Sequence, residues 1–64
     1  MSSNRIFFII NSDRRIVGQT PIKEQAVKAA MNYSRDDKQH KCYGVSEEDG
    51  PIAWFSENGF VCTL

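Results

Sequence analysis

The sequence predicts an α+β fold: an antiparallel sheet of four to five strands, in the order β-β-α-β-β-β, with one helix packed on one face. Three observations carry that reading. Short runs rich in β-branched and aromatic residues stand near both ends of the chain, "RIFFII" at 5–10 and "FVCTL" at 60–64. Apolar residues recur at helical spacing in a single stretch between them. "SENG" at 56–59 separates two apolar runs and is the clearest hairpin signal in the chain. The 64 residues make one small domain over 1–64, and a chain of this size buries only about 60% of its unfolded surface, so its stability is marginal.

The elements follow in order. "RIFFII" is the first strand, and Asn11, Ser12 and Asp13 supply the turn that "RIVGQ" (15–19) leaves as a second strand. Thr20-Pro21 then switches the period, with Thr20 suited to an N-cap and Pro21 to the first helical position. Ile22, Ala26, Ala29, Ala30 and Tyr33 form one helical face, and Lys23, Glu24, Lys28 and Asn32 fall largely on the other. The helix is expected over 21–34, ending before the polar "RDDKQ". "HKCYGV" (40–45) is a short strand, and "SEEDGP" (46–51), with its Asp49-Gly50 step and Pro51, is a loop. "IAWF" and "FVCTL" are the arms of the last hairpin.

One helix covers one sheet face, yet two strands are apolar on both. Ile6, Phe8 and Ile10 alternate with Phe7 and Ile9, and Ile52 and Trp54 alternate with Ala53 and Phe55. Loops, a second copy or a different protein must cover the remaining face. The side chains involved depend on the last turn. A two-residue Asn58-Gly59 turn pairs Phe55 with Cys62 and Trp54 with Thr63; a turn over Glu57-Asn58-Gly59 with a glycine bulge pairs Ser56 with Phe60 and Trp54 with Cys62. The first is favoured, because it gathers Phe55, Phe60, Cys62 and Leu64 beneath the helix and leaves Trp54 and Val61 on the open face.

Eight Lys/Arg balance eight Asp/Glu, which argues against a general nucleic-acid coat and against an acidic mimic of DNA. The balance hides an asymmetry. All eight basic residues precede residue 42 together with four acids, so residues 1–41 carry +4, and the remaining four acids give residues 42–64 a charge of −4. If folding keeps the halves apart, the surface is dipolar. Met1 leads into Ser-Ser-Asn-Arg, and the longest apolar run, Ile6–Ile10, is too short for a signal segment or a membrane span. A cytoplasmic protein with reduced Cys42 and Cys62, acting as small buried hydrophobes, is expected.

No motif names a reaction. His40, Cys42 and Cys62 match no common zinc spacing. His40 and Cys42 share a strand face at about 7 Å, the i to i+2 distance, too far for a direct nucleophile–base bond. No orienting partner for His40 is evident. Glu47-Glu48-Asp49 lacks the calcium-loop pattern, Asp36-Asp37 reads as a helix stop, and the four glycines form no phosphate-cradling cluster. No catalytic, cofactor or metal residue is assigned.

The expectation is therefore a non-catalytic protein-binding module that docks an open apolar sheet face on a larger host or cognate protein. Small motif-free chains encoded by phages and mobile elements often inhibit or redirect a host protein in this way. Trp54 and Phe7 supply the buried area, Ile9 and Tyr43 the surrounding surface, and Arg14 and Arg15 the orientation. The first alternative is a nucleic-acid binder using the Arg14-Arg15 hairpin tip with Phe7 and Tyr43 as stacking aromatics. The second is a homodimeric structural protein without enzymatic activity.

Overall fold

The computed structural model describes residues 5–48 and 50–64. Asp49 of the acidic loop and the first four residues lie outside the described residues. The elements are β1 (Phe7–Ile10), β2 (Ile16–Thr20), α1 (Lys23–Asp36), β3 (Tyr43–Ser46), β4 (Ala53–Ser56) and β5 (Gly59–Thr63). The five strands form one sheet in the order β2-β1-β3-β4-β5, and every neighbouring pair is antiparallel. α1 packs on one face, which makes this the α+β class that the sequence predicts.

The core lies between α1 and that face. Ile9 and Val45 from the sheet meet Ala26 and Ala30 from the helix, with Phe7, Ala29, Tyr43 and Phe55 packed around them. The buried helix residues are Ala26, Ala30 and Ser34. They recur every four positions, and their small side chains let the helix lie close to the large sheet residues.

The helix begins and ends two residues later than its sequence signals suggest. Thr20 is held in β2 opposite Phe7, so it is not free to act as the cap. Its Oγ1 instead accepts the N–H of Ile22 at 3.3 Å, and Ile22 occupies the N-cap position without a side-chain cap. At the other end Ser34, although polar, continues the Ala26–Ala30 stripe and is fully buried. The helix therefore persists to Asp36, and Asp37 is its C-cap.

The β1–β2 and β4–β5 turns each carry a residue at positive φ. In the first, Arg14 sits at φ +65°. The Asn11 side-chain carbonyl accepts the N–H groups of Asp13 and Arg15, each at 2.9 Å, and the Asn11 main-chain carbonyl accepts Arg14 N–H at 2.9 Å. In the last, Gly59 sits at φ +123°, a conformation a side chain would oppose. The pairing there differs from the favoured expectation: Ser56 faces Gly59, Phe55 faces Phe60 and Trp54 faces Cys62, with a bulge between Trp54 and Phe55. The bulge leaves Val61 without an opposite residue and changes the parity of the strand. Phe55 and Phe60 thus share the helix side, ring centres 5.7 Å apart in an edge-to-face contact. Cys62 and Leu64 fall on the opposite face, not beneath the helix.

Folding also mixes the two charge halves. Arg5 Nη1 lies 3.5 Å from Glu47 Oε1, and His40 Nδ1 lies 3.5 Å from Glu57 Oε1. The first contact sets a base of residues 1–41 against an acid of residues 42–64.

Candidate functional site

Directly opposed residues on antiparallel strands share a face, so the pairings define what α1 leaves uncovered. Ile16 faces Ile10, Ile10 faces Gly44, Gly44 faces Trp54 and Trp54 faces Cys62. This single row crosses all five strands on the side away from the helix. A neighbouring row carries Gln19, Phe8 and Ser46, and at the β4–β5 end Ile52 and Leu64 exchange main-chain hydrogen bonds of 3.0 and 2.9 Å. The face is apolar through most of its width.

Its middle is built by one large and one absent side chain. A Cβ placed on Gly44 would lie 3.3 Å from two carbons of the Trp54 ring and would run into Ile52 Cγ2. Trp54 therefore lies across the glycine, and only 8% of it is exposed. Its Nε1 is buried without a hydrogen-bond partner among the described residues. Around this filled centre the edge residues stay open: Ile16 is 61% and Leu64 69% exposed, and Cys62 is an exposed free thiol.

The six residues expected to form the interface do not come together. Trp54 lies on the open face as expected, but as its packed centre and not as an exposed anchor. Phe7, Ile9 and Tyr43 belong to the helix-covered face: Ile9 pairs with Val45, and Tyr43 with Phe55. With Phe7 and Tyr43 under α1, the aromatic platform of the nucleic-acid reading is not on the open face. Arg14 and Arg15 are exposed in the first turn, adjoining Ile16 at the edge of the row. Phe8, Ile10, Ile16, Ile52, Cys62 and Leu64 are the face residues that sequence reasoning passed over. The alternation in "RIFFII" separates Phe8 and Ile10 from Phe7 and Ile9, but nothing local says which set meets the helix.

The polar clusters outside this face are structural. Asp37 Oδ1 accepts Gln39 N–H at 2.7 Å and Oδ2 accepts the Tyr43 hydroxyl at 2.9 Å. These two bonds, the Gln39 N–H first, hold the Asp37 carboxyl below its ordinary range, and the same contact with Asp37 raises the Tyr43 phenol. Tyr43 also stacks on Tyr33 with ring centres 5.4 Å apart, and the Tyr33 hydroxyl donates to the Val17 carbonyl at 3.3 Å. Together they pin the end of α1 to β3 and β2. His40 has a neighbour after all in Glu57, but both are on the surface. The Cys42 and Cys62 thiols are free; β3 begins only at Tyr43, so His40, at φ +52°, and Cys42 precede the strand and do not share a strand face as expected, and Cys62, expected buried, is exposed. Among the described residues no three His, Cys, Asp or Glu side chains are grouped to hold a metal ion, and no helix is long and apolar enough to cross a membrane.

A groove of about 300 Å³ lies on the helix side, between the first half of α1 and the sheet. Phe7, Val27, Val45 and Phe55 give it apolar walls, and Lys23 and Glu47 are its charged ones. It contains no nucleophile paired with a base. Comparison of the chain with protein-family models, with curated proteins and with solved structures found no match in any of the three.

Proposed function

We propose that the chain is a non-catalytic protein-binding module that docks the sheet face opposite α1 on a larger protein, as a regulator or inhibitor acting in the cytoplasm. The observation that supports this reading is the apolar row from Ile16 through Ile10, Gly44 and Trp54 to Cys62, over which no described element of the chain lies; its centre is buried, and Ile16 at one end and Cys62 and Leu64 at the other are exposed. The exposed apolar ends of this row stand in water at a cost that a partner removes. Its centre is already packed, with Ile10, Gly44 and Trp54 buried, so the area left for a partner lies at the exposed ends of the row. Arg14 and Arg15 stand at one end of the row, where exposed charges orient an approaching partner. The partner's matching surface is correspondingly apolar, with acidic groups at the end that meets the arginines.

The test is capture of partners by the tagged protein from nuclease-treated lysate, washed at low and at high salt. Docking through an apolar face keeps its partner in high salt, since only the rim charges are screened. A bound species released by moderate salt, and replaced by nucleic acid when nuclease is omitted, would overturn the proposal in favour of the Arg14-Arg15 tip.

A further inference from the structure

The two edges of the sheet, β2 and β5, are defended unequally. Each edge pairing carries one register shift, at Ile9/Ile10 and at Trp54/Phe55, but only β2 is flanked by charge and proline, Arg14-Arg15 and Pro21, features that discourage an added strand. From Asn58 to Leu64 there is no charged residue and no proline. Phe60, Val61 and Leu64 along this edge are 61%, 51% and 69% exposed.

The outward backbone groups of β5 follow from its inward ones. Ile52 and Leu64 exchange both main-chain bonds, and two residues on Trp54 pairs with Cys62, so alternation directs the N–H and C=O of Cys62 and Leu64 toward β4. In a trans peptide the C=O and the next N–H point in opposite directions. Val61 C=O, Thr63 N–H and Thr63 C=O therefore point to solvent at the free edge.

We propose that β5 pairs antiparallel with β5 of a second copy, about a two-fold axis at Cys62, joining two five-stranded sheets into one. In this register the Thr63 N–H of each copy meets the Val61 C=O of the other. Cys62 then faces its own counterpart as a non-hydrogen-bonded pair, with Cα atoms about 4.5 Å apart, inside the range a disulfide spans. A second copy suits this edge for two reasons. No charge between Asn58 and Leu64 is set against its like, and the chain's formal net charge is zero, so two copies do not repel at long range. The exposed parts of Phe60, Val61 and Leu64 amount to roughly 600 Å² over both copies, below the ~1,200 Å² of stable complexes, so the association is weak and concentration-dependent. The inference does not depend on the docking reading, although the apolar row of one copy runs through Cys62 into that of the other.

Sedimentation equilibrium of the full chain under reducing conditions tests it. The expected weight-average mass rises from 7.3 kDa toward twice that value with concentration, in the wild type and in Cys62→Ser alike. Thr63→Pro removes the outward N–H without touching a β4–β5 bond and is expected to stay monomeric with native circular dichroism; Val61→Lys, which puts a charge on the edge, serves if the proline variant does not fold. With oxidised glutathione, Cys42→Ser is expected to form a covalent dimer: two Cys62 thiols give up two protons and two electrons to become one disulfide, and the oxidant is reduced to two glutathione thiols. Cys62→Ser is expected to form none. A monomer at every concentration, association undiminished in the folded edge variant, or disulfide yield unchanged in that variant or in urea would each overturn the proposal.

Discussion

Replacing Trp54 by alanine is expected to bring the protein to the edge of unfolding, even though Trp54 lies on the face that no helix covers. The indole is 8% exposed and lies across Gly44. A buried aromatic of this size removes about 150–250 Å² from water, worth roughly 4–6 kcal/mol at 25 cal/mol per Å². Truncation of buried tryptophan costs about 3–5 kcal/mol, and a domain of this length is stable by only about 3–10 kcal/mol at the usual range per residue. Most of that reserve is therefore lost. Urea denaturation followed by circular dichroism reads the change as a lower midpoint with no native baseline or a short one. Trp54→Phe separates area from polarity: it keeps a ring on the glycine and removes the unpartnered Nε1, so its cost is expected to stay within about 1.5 kcal/mol. If Trp54→Ala instead unfolds within about 0.5 kcal/mol of the wild type, the ordinary range for surface substitutions, then the indole is not packed on Gly44 and the description of the open face is wrong.

Three further outcomes follow from single contacts. Gly44→Ala puts a methyl against Ile52 Cγ2 and the Trp54 ring, and is expected to cost about 1–3 kcal/mol by thermal or urea midpoint. Arg14→Gly relieves the left-handed φ of +65° and is expected to stabilise by about 0.5–1 kcal/mol, the relief exceeding glycine's extra chain entropy. The Asp37 carboxyl is held below its ordinary pKa by Gln39 N–H and the Tyr43 hydroxyl, so its contribution is present above about pH 4, the unfolded value, and is lost as pH falls through the lower folded one. Asp37→Asn should flatten that part of the acid limb, read as urea midpoints measured between about pH 2 and pH 6.

The order of elements was legible because each signal was local: the turn at Asn11–Asp13, the alanine-rich helical period, and the "SENG" hairpin. The helix limits were less so. Thr20 is taken by the β1–β2 ladder, and Ser34 fills a stripe position that polarity alone would deny it. The site was read only in outline. An uncovered apolar face followed from two strands with apolar residues on both sides, but which residues form it is a matter of parity. Parity turned on one bulge, which leaves Val61 unopposed and sets Trp54 against Cys62. That choice belongs to the packing of the whole sheet, where the Trp54 indole lies across Gly44, and a glycine in a short strand does not announce what will lie across it.

The most direct test of the docking account is capture with two charge variants placed on opposite sides of the molecule. Ile16→Lys puts a cation at the exposed end of the apolar row, and Lys28→Glu reverses a charge on the outer surface of α1. With both variants folded, the account predicts that Ile16→Lys loses the protein partner that the wild type retains and that Lys28→Glu keeps it. Retention by Ile16→Lys together with loss by Lys28→Glu would contradict it and move the binding surface to the helix.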